Sequence, residues 1–137
     1  MANPVDTRVI AGKLEELLRT LPHDFAVVYL FGSVARREAG PQSDLDLAVV
    51  RARPAETPLA RLNGVLAGEL ERVLRVPVEI VDLETAPVDL AHRVLRDGRV
   101  VFENDRSKRI AVETRLRARY FDLRPIFAEY RKERRTA

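Results

Sequence analysis

Apolar side chains recur along this chain in runs that alternate between helical and strand-like spacing. After a cap at Asp6 or Thr7, Ile10, Leu14, Leu17, Leu18 and Leu21 fall on one helical stripe, with Lys13, Glu15, Glu16 and Arg19 outside it. Leu21-Pro22-His23-Asp24 ends that helix. The unbroken apolar run Phe25–Phe31 (FAVVYLF) then predicts a first strand, which runs into Gly32-Ser33. Val34 to Glu38 has room for one short helical piece, closed by Gly40-Pro41, and a second strand covers Leu45 to Arg51. Arg53 to Pro58 is a loop. Thr57-Pro58 supplies a cap followed by a first-turn proline, and Leu59, Leu62, Leu66, Leu70 and Val73 mark the buried stripe of a second long helix. Pro77 precedes a third strand, Val78 to Leu83. Thr85 to Pro87 opens a third helix with Val88, Ala91, Val94 and Leu95 inward, and Asp97-Gly98 turns the chain into a last short strand, Arg99 to Phe102.

From about Asp105 the pattern changes. Leu116, Tyr120, Leu123, Phe127 and Tyr130 form a single apolar stripe on a very basic helix, which Pro125 should kink or divide. This stripe either packs back on the preceding elements or presents a surface to a partner. The alternation predicts an α/β fold: a mixed sheet of about four strands flanked by helices, with a C-terminal helical extension. At 137 residues the chain reads as one domain, residues 1–104 forming the αβ core and 105–137 the extension.

Charge sharpens that division. Residues 1–104 carry 13 basic and 16 acidic side chains, whereas residues 105–137 carry 11 and 5, so the net charge of +3 comes from the extension. A basic helix can meet nucleic acid or an acidic protein surface, or can simply be solvated. There is no cysteine, which excludes disulfides and thiolate metal sites. No apolar run approaches the ~18 residues of a membrane span, and MANPVDTRVI lacks the apolar centre of a signal peptide. The expected location is the cytoplasm.

Candidate chemistry concentrates between Phe31 and Val50 (FGSVARREAGPQSDLDLAVV). Asp44 and Asp46 are two apart in an extended segment, so both carboxylates project from one side while Leu45, Leu47 and Val49 face a core. Paired carboxylates suit a hard cation such as Mg²⁺, which takes oxygen ligands and leaves positions for substrate phosphates. Gly32 allows close approach of the backbone to a ligand, Ser33 adds a hydroxyl, and the N–H groups of the helix that follows favour an anion. Of Arg36 and Arg37, one is placed to reach phosphate. Ser43 either orients Asp44 or ends the turn. A phosphate cradle beside a carboxylate pair is the equipment of phosphoryl or nucleotidyl transfer.

Gly32-Ser33, ten residues, then Asp44-Leu45-Asp46, set between two strands with Phe31, Arg36, Gly40 and Ser43, resembles the pattern of the DNA polymerase β-like nucleotidyltransferases. From Asp6 to about Phe102 the chain is most similar to the minimal nucleotidyltransferase (MNT) branch, whose antitoxin members pair with HEPN-domain toxins. The resemblance implies the polymerase β-like fold, ATP as nucleotide substrate, Mg²⁺ held by Asp44 and Asp46, and nucleotide contacts from Gly32, Ser33, Arg36 and Ser43. It also implies a third carboxylate on a neighbouring strand. The usual MNT string there is V-D-L-V-D-L, and its first aspartate is the catalytic one. Here the string is VEIVDL, so Glu79 takes that place with one methylene more, and Asp82 is the alternative, better suited to begin a turn. The implied activity is transfer of AMP to a tyrosine hydroxyl of a HEPN ribonuclease toxin within a protein–protein complex, which can assemble into a larger oligomer, rather than direct binding of nucleic acid. Two other functions fit the same motif: a small-molecule nucleotidyltransferase of the aminoglycoside type, and an antitoxin that neutralises by occlusion without chemistry. His23 and His92 read as isolated satisfied or surface residues, Tyr29 as core, and Tyr120 and Tyr130 as packing residues of the last stripe.

Overall fold

The computed structural model describes residues 7–32, 44–53 and 63–136. The expected short helix Val34–Glu38 and the Thr57-Pro58 helix start, with Leu59 and Leu62, lie outside the described residues. Helix α1 spans Thr7–Thr20 and buries Ala11, Leu14 and Leu18. His23 closes it. The His23 Nδ1 accepts from the Phe25 N–H at 3.1 Å, which places the ring proton on Nε2, and Nε2 donates to the Leu18 carbonyl at the open end of the helix.

Strands β1 (Phe25–Phe31) and β2 (Leu45–Arg51) have the bounds expected from their apolar runs. A π-helical turn at Asn63–Ala67 leads into α2 (Gly68–Leu74), where Leu66 and Leu70 are buried but Val73, expected in the stripe, is exposed. The helix ends one residue later, with Arg75 in the left-handed region, so Val73 lies in its last turn, turned away from the sheet. Strand β3 (Val78–Asp82), helix α3 (Val88–Asp97), strand β4 (Arg99–Glu103) and helix α4 (Arg106–Thr136) complete the chain. No described helix is long and apolar enough to cross a membrane.

The strands form one mixed sheet in the order β3-β2-β1-β4, with β1 antiparallel to both neighbours and β2 parallel to β3. Helices cover both faces. Leu14 and Leu18 of α1 and Leu70 of α2 pack with Leu30, Leu47 and Ile80 on one face. Ala91 and Val94 of α3 and Val112 and Leu116 of α4 pack with Val27, Tyr29 and Ala48 on the other. That double cover is why β1, a central strand, is apolar at all seven positions.

Helix α4 runs unbroken through Pro125, against the expected division. Proline removes one N–H and crowds the carbonyl four residues earlier, that of Phe121. Phe121 and Pro125 both face solvent, where water can take the freed acceptor and the turns on either side keep their bonds. The stripe divides instead by burial. Leu116 is in the core, Tyr120, Leu123 and Phe127 are half-buried, and Tyr130 is 59% exposed, so the packing of the stripe falls away toward the end of the helix. Tyr120 stacks on His92 at 3.5 Å between ring centroids. Desolvation, then the charges of Arg96, Arg117 and Arg124, hold His92 below the usual histidine range, which favours the neutral imidazole in that stack.

Tyr29 ties the sheet to α4. Its hydroxyl donates to Glu113 Oε1 at 2.7 Å, and Glu113 also meets Arg109 and Arg117 at 3.3 and 3.4 Å. Burial, then the bond to Glu113, pushes the Tyr29 hydroxyl far above its ordinary value. Tyr29→Phe should cost about 1.5–3 kcal/mol in urea unfolding, the worth of a buried bond to a charged group. The raised pKa sets the sign of the pH dependence. The folded state keeps a proton that the unfolded chain loses near pH ~10, so Tyr29 contributes fully below that value and its contribution is lost as pH rises above it. The Phe variant should lack that alkaline loss.

Candidate functional site

The ends of three strands meet at one edge of the sheet. Phe31, the last residue of β1, is paired with Asp46 of β2, and Asp46 is paired in parallel register with Glu79 of β3. Register partners project to the same face. Leu45, Leu47, Val78 and Ile80 all point to the α1/α2 side, so Asp46 and Glu79 stand side by side on the α3/α4 side. Asp46 is half-buried and Glu79 exposed. Asp44 lies one residue ahead of β2, exposed, and two positions from Asp46. Asp82 is in register with Val49 rather than with either aspartate, and its Oδ1 accepts from the Glu84 N–H at 2.9 Å in the turn after β3. Ser33, Arg36 and Ser43 lie outside the described residues.

Gly32 has φ +77°, a conformation in which a side chain is strained. A Cβ there would also come within 2.2 Å of Asp46 Oδ2. The backbone therefore runs against the carboxylate, and only glycine fits.

Beyond Gly32 opens a cleft of about 470 Å³, lined by Phe31, Gly32, Asp46, Leu90, Arg93, Arg96 and Asp97. Its far wall is one side of α3. Leu90, Arg93 and Asp97, at i, i+3 and i+7, occupy one face of that helix, beside the buried Ala91 and Val94. The end of α3 is held close to β1. The Gly98 N–H donates to the Val94 carbonyl at 2.8 Å, and a Cβ on Gly98 would meet that oxygen at 2.4 Å and the Leu30 carbonyl at 3.3 Å. Arg96 forks onto Asp97 with Nε–Oδ1 2.9 Å and Nη2–Oδ2 2.8 Å. Arg93 is exposed and has no ion-pair partner among the described residues. Sequence reasoning missed both arginines. The signal was there, in the Leu90-Arg93-Asp97 spacing next to the apolar stripe, but it reads equally as a solvated helix face.

Among the described residues no three histidine, cysteine, aspartate or glutamate side chains form a ready metal cluster. The donor set nonetheless suits Mg²⁺, which is commonly bound by one or two carboxylates and completes its octahedron with water and substrate phosphates. Asp46 and its register neighbour Glu79 provide two such groups, and Asp44 a third close in sequence.

The polymerase β nucleotidyltransferase family (Polymerase beta, Nucleotidyltransferase) matches residues 12–107, from α1 through β4. The chain belongs to that family. The match takes in all four strands, the carboxylate row and the cleft beside it. A curated relative, the protein adenylyltransferase MntA of Shewanella oneidensis, is 33% identical over 88 residues, which is 64% of this chain and 61% of the relative. The alignment thus spans less than two thirds of that protein. In fold the nucleotidyltransferase is similar to a chain of a toxin–antitoxin crystal structure with AMP-PNP (TM-score 0.64, 24% identity, 88% of this chain and 97% of that one). It is similar also to a chain of the tri-AMPylated Shewanella oneidensis HEPN toxin in complex with MNT antitoxin (TM-score 0.60, 23% identity, 90% and 98%). These likenesses extend the match beyond β4 into α4.

Proposed function

We propose that this nucleotidyltransferase is a Mg²⁺-dependent protein adenylyltransferase that moves AMP from ATP to a tyrosine hydroxyl of a HEPN ribonuclease toxin, and so acts as that toxin's antitoxin in the cytoplasm. The observation that carries the reading is the register of Asp46 with Glu79 beside the Gly32 turn, in a chain one third identical to a protein adenylyltransferase over the matched residues. The solved complex of an AMPylated HEPN toxin with an MNT antitoxin, whose fold this chain shares, supports the choice of acceptor.

Asp44 and Asp46 would hold Mg²⁺, with Glu79 completing the set. When bound, the ion neutralises charge on the phosphates and lowers the barrier to displacement. Gly32 brings its backbone against the phosphates, with Ser33, Arg36 and Ser43 as further nucleotide contacts. Glu79 sits at the exposed end of the carboxylate row, open to a protein acceptor, and takes the hydroxyl proton. The acceptor oxygen forms a bond to the α-phosphorus as the bond to the β-phosphate oxygen breaks, and pyrophosphate leaves.

Intact mass of a HEPN partner after incubation with ATP and Mg²⁺ tests this. One or more added AMP units, absent with Asp44→Asn/Asp46→Asn, is the expected result. A stable complex with no added mass would replace the enzyme by an occluding antitoxin.

A further inference from the structure

We infer that Arg93 binds the pyrophosphate half of the nucleoside triphosphate, in the cleft between Gly32 and α3, with Arg96 held ready beside it. The inference rests on the nucleotidyl-transfer reading above and adds a direction to it. Across the sheet edge the order is Glu79 on β3, Asp46 on β2, Gly32 at the end of β1, then Arg93 and Arg96 on the helix that enters β4. In phosphoryl displacement the attacking and leaving oxygens are roughly in line. With the proton acceptor Glu79 at one end of the row, the leaving group departs toward the other end, into this cleft.

The cleft has the chemistry that a departing pyrophosphate requires. Its volume of about 470 Å³ falls within the usual range of small-molecule sites. Its floor ends in the Asp46 carboxylate, and its described cationic lining is Arg93 and Arg96. Asp97 engages Arg96 through both of its oxygens, which fixes that guanidinium and offsets its charge. Arg93 is the cation left to meet an anion, on the same helix face as Leu90, whose apolar side chain limits water on that wall. A guanidinium fork matches two phosphate oxygens at once. As the bond from the α-phosphorus to its bridging oxygen breaks, that oxygen gains negative charge, and Arg93 holds the pyrophosphate that carries it.

The test is calorimetric titration of the full-length protein, wild type and Arg93→Gln, with pyrophosphate, ATP and AMP, each with Mg²⁺. The Gln variant should bind pyrophosphate and ATP about 10- to 100-fold more weakly, the worth of a charge-assisted contact, with AMP affinity unchanged. Arg93→Lys should recover only part of the loss, because it restores the charge without the fork. Equal urea midpoints for the variants would confirm that the exposed substitution leaves the fold intact. Unchanged pyrophosphate affinity in a variant of a protein that does bind ATP would overturn the inference and leave the transfer reading standing, as would an equal loss for all three ligands. Failure of the wild type to bind ATP at all would instead remove the reading beneath it.

Discussion

Gly32→Ala should lower AMP transfer by at least about 100-fold while leaving the protein folded. Two penalties combine. Placing an alanine in the left-handed region costs about 1–2 kcal/mol, a modest fraction of a domain's stability. The second penalty falls on the site. The new Cβ would lie 2.2 Å from Asp46 Oδ2, so the carboxylate must swing away by roughly an ångström or the turn must move. Displacements of that size cost on the order of 100-fold when reacting groups must be aligned. Single-turnover AMP incorporation reads the loss, and a urea midpoint separates it from unfolding. Gly12→Ala provides the contrast, since a Cβ on this exposed helical residue meets nothing within 4 Å. That substitution should gain about 0.5–1 kcal/mol of stability and leave transfer untouched.

The second large effect comes from Asp46→Asn, which should cut transfer at least about 100-fold and remove the stabilisation that Mg²⁺ gives the protein. Asp46 and Glu79 are like charges in direct register on adjacent parallel strands, an arrangement that is destabilising until a cation offsets it. Removing one charge relieves that repulsion. The same change removes a ligand of the proposed cation, whose stabilisation of the displacement amounts to several kcal/mol, so the rate should fall at least about 100-fold. Thermal melts with and without Mg²⁺ read the loss of that ligand. The wild type should gain stability from the ion, and the variant should gain little. A variant that gains as much from Mg²⁺ as the wild type would show that Asp46 does not hold the ion.

Much of this arrangement was legible in the residues. Strands β1 and β2 declare themselves through the apolar runs FAVVYLF and LAVV, because both are central strands covered by helices on both faces and have little room for polar side chains. Gly32 stood out by its place between strand and aspartates. What the chain does not spell out is register. Whether Glu79 or Asp82 stands beside Asp46 depends on a parallel pairing between segments more than thirty residues apart, and parity along one strand separates the two candidates without saying which face meets Asp46. Arg93 and Arg96 were hidden for a related reason. Polar positions of an amphipathic helix look alike until the crossover into β4 brings the end of α3 against β1. Pro125 misled in the other direction, since local propensity argues for a break where solvent can take the single freed carbonyl.

The place of β1 in the sheet also bears on how the protein is made. β1 is apolar at every position, and its second neighbour arrives only with residues 99–103, when Val27 comes opposite Glu103 and Leu30 opposite Arg99. Until then a nascent chain carries one of its most hydrophobic strands as an open edge, the feature that most readily recruits another chain into an aggregate. Pairing across so long a separation is also slow to form. The same late pairing holds the end of α3 beside Leu30 and so walls the cleft, which means that the edge of β1 is covered and the cleft is formed in one step, once β4 is free to pair.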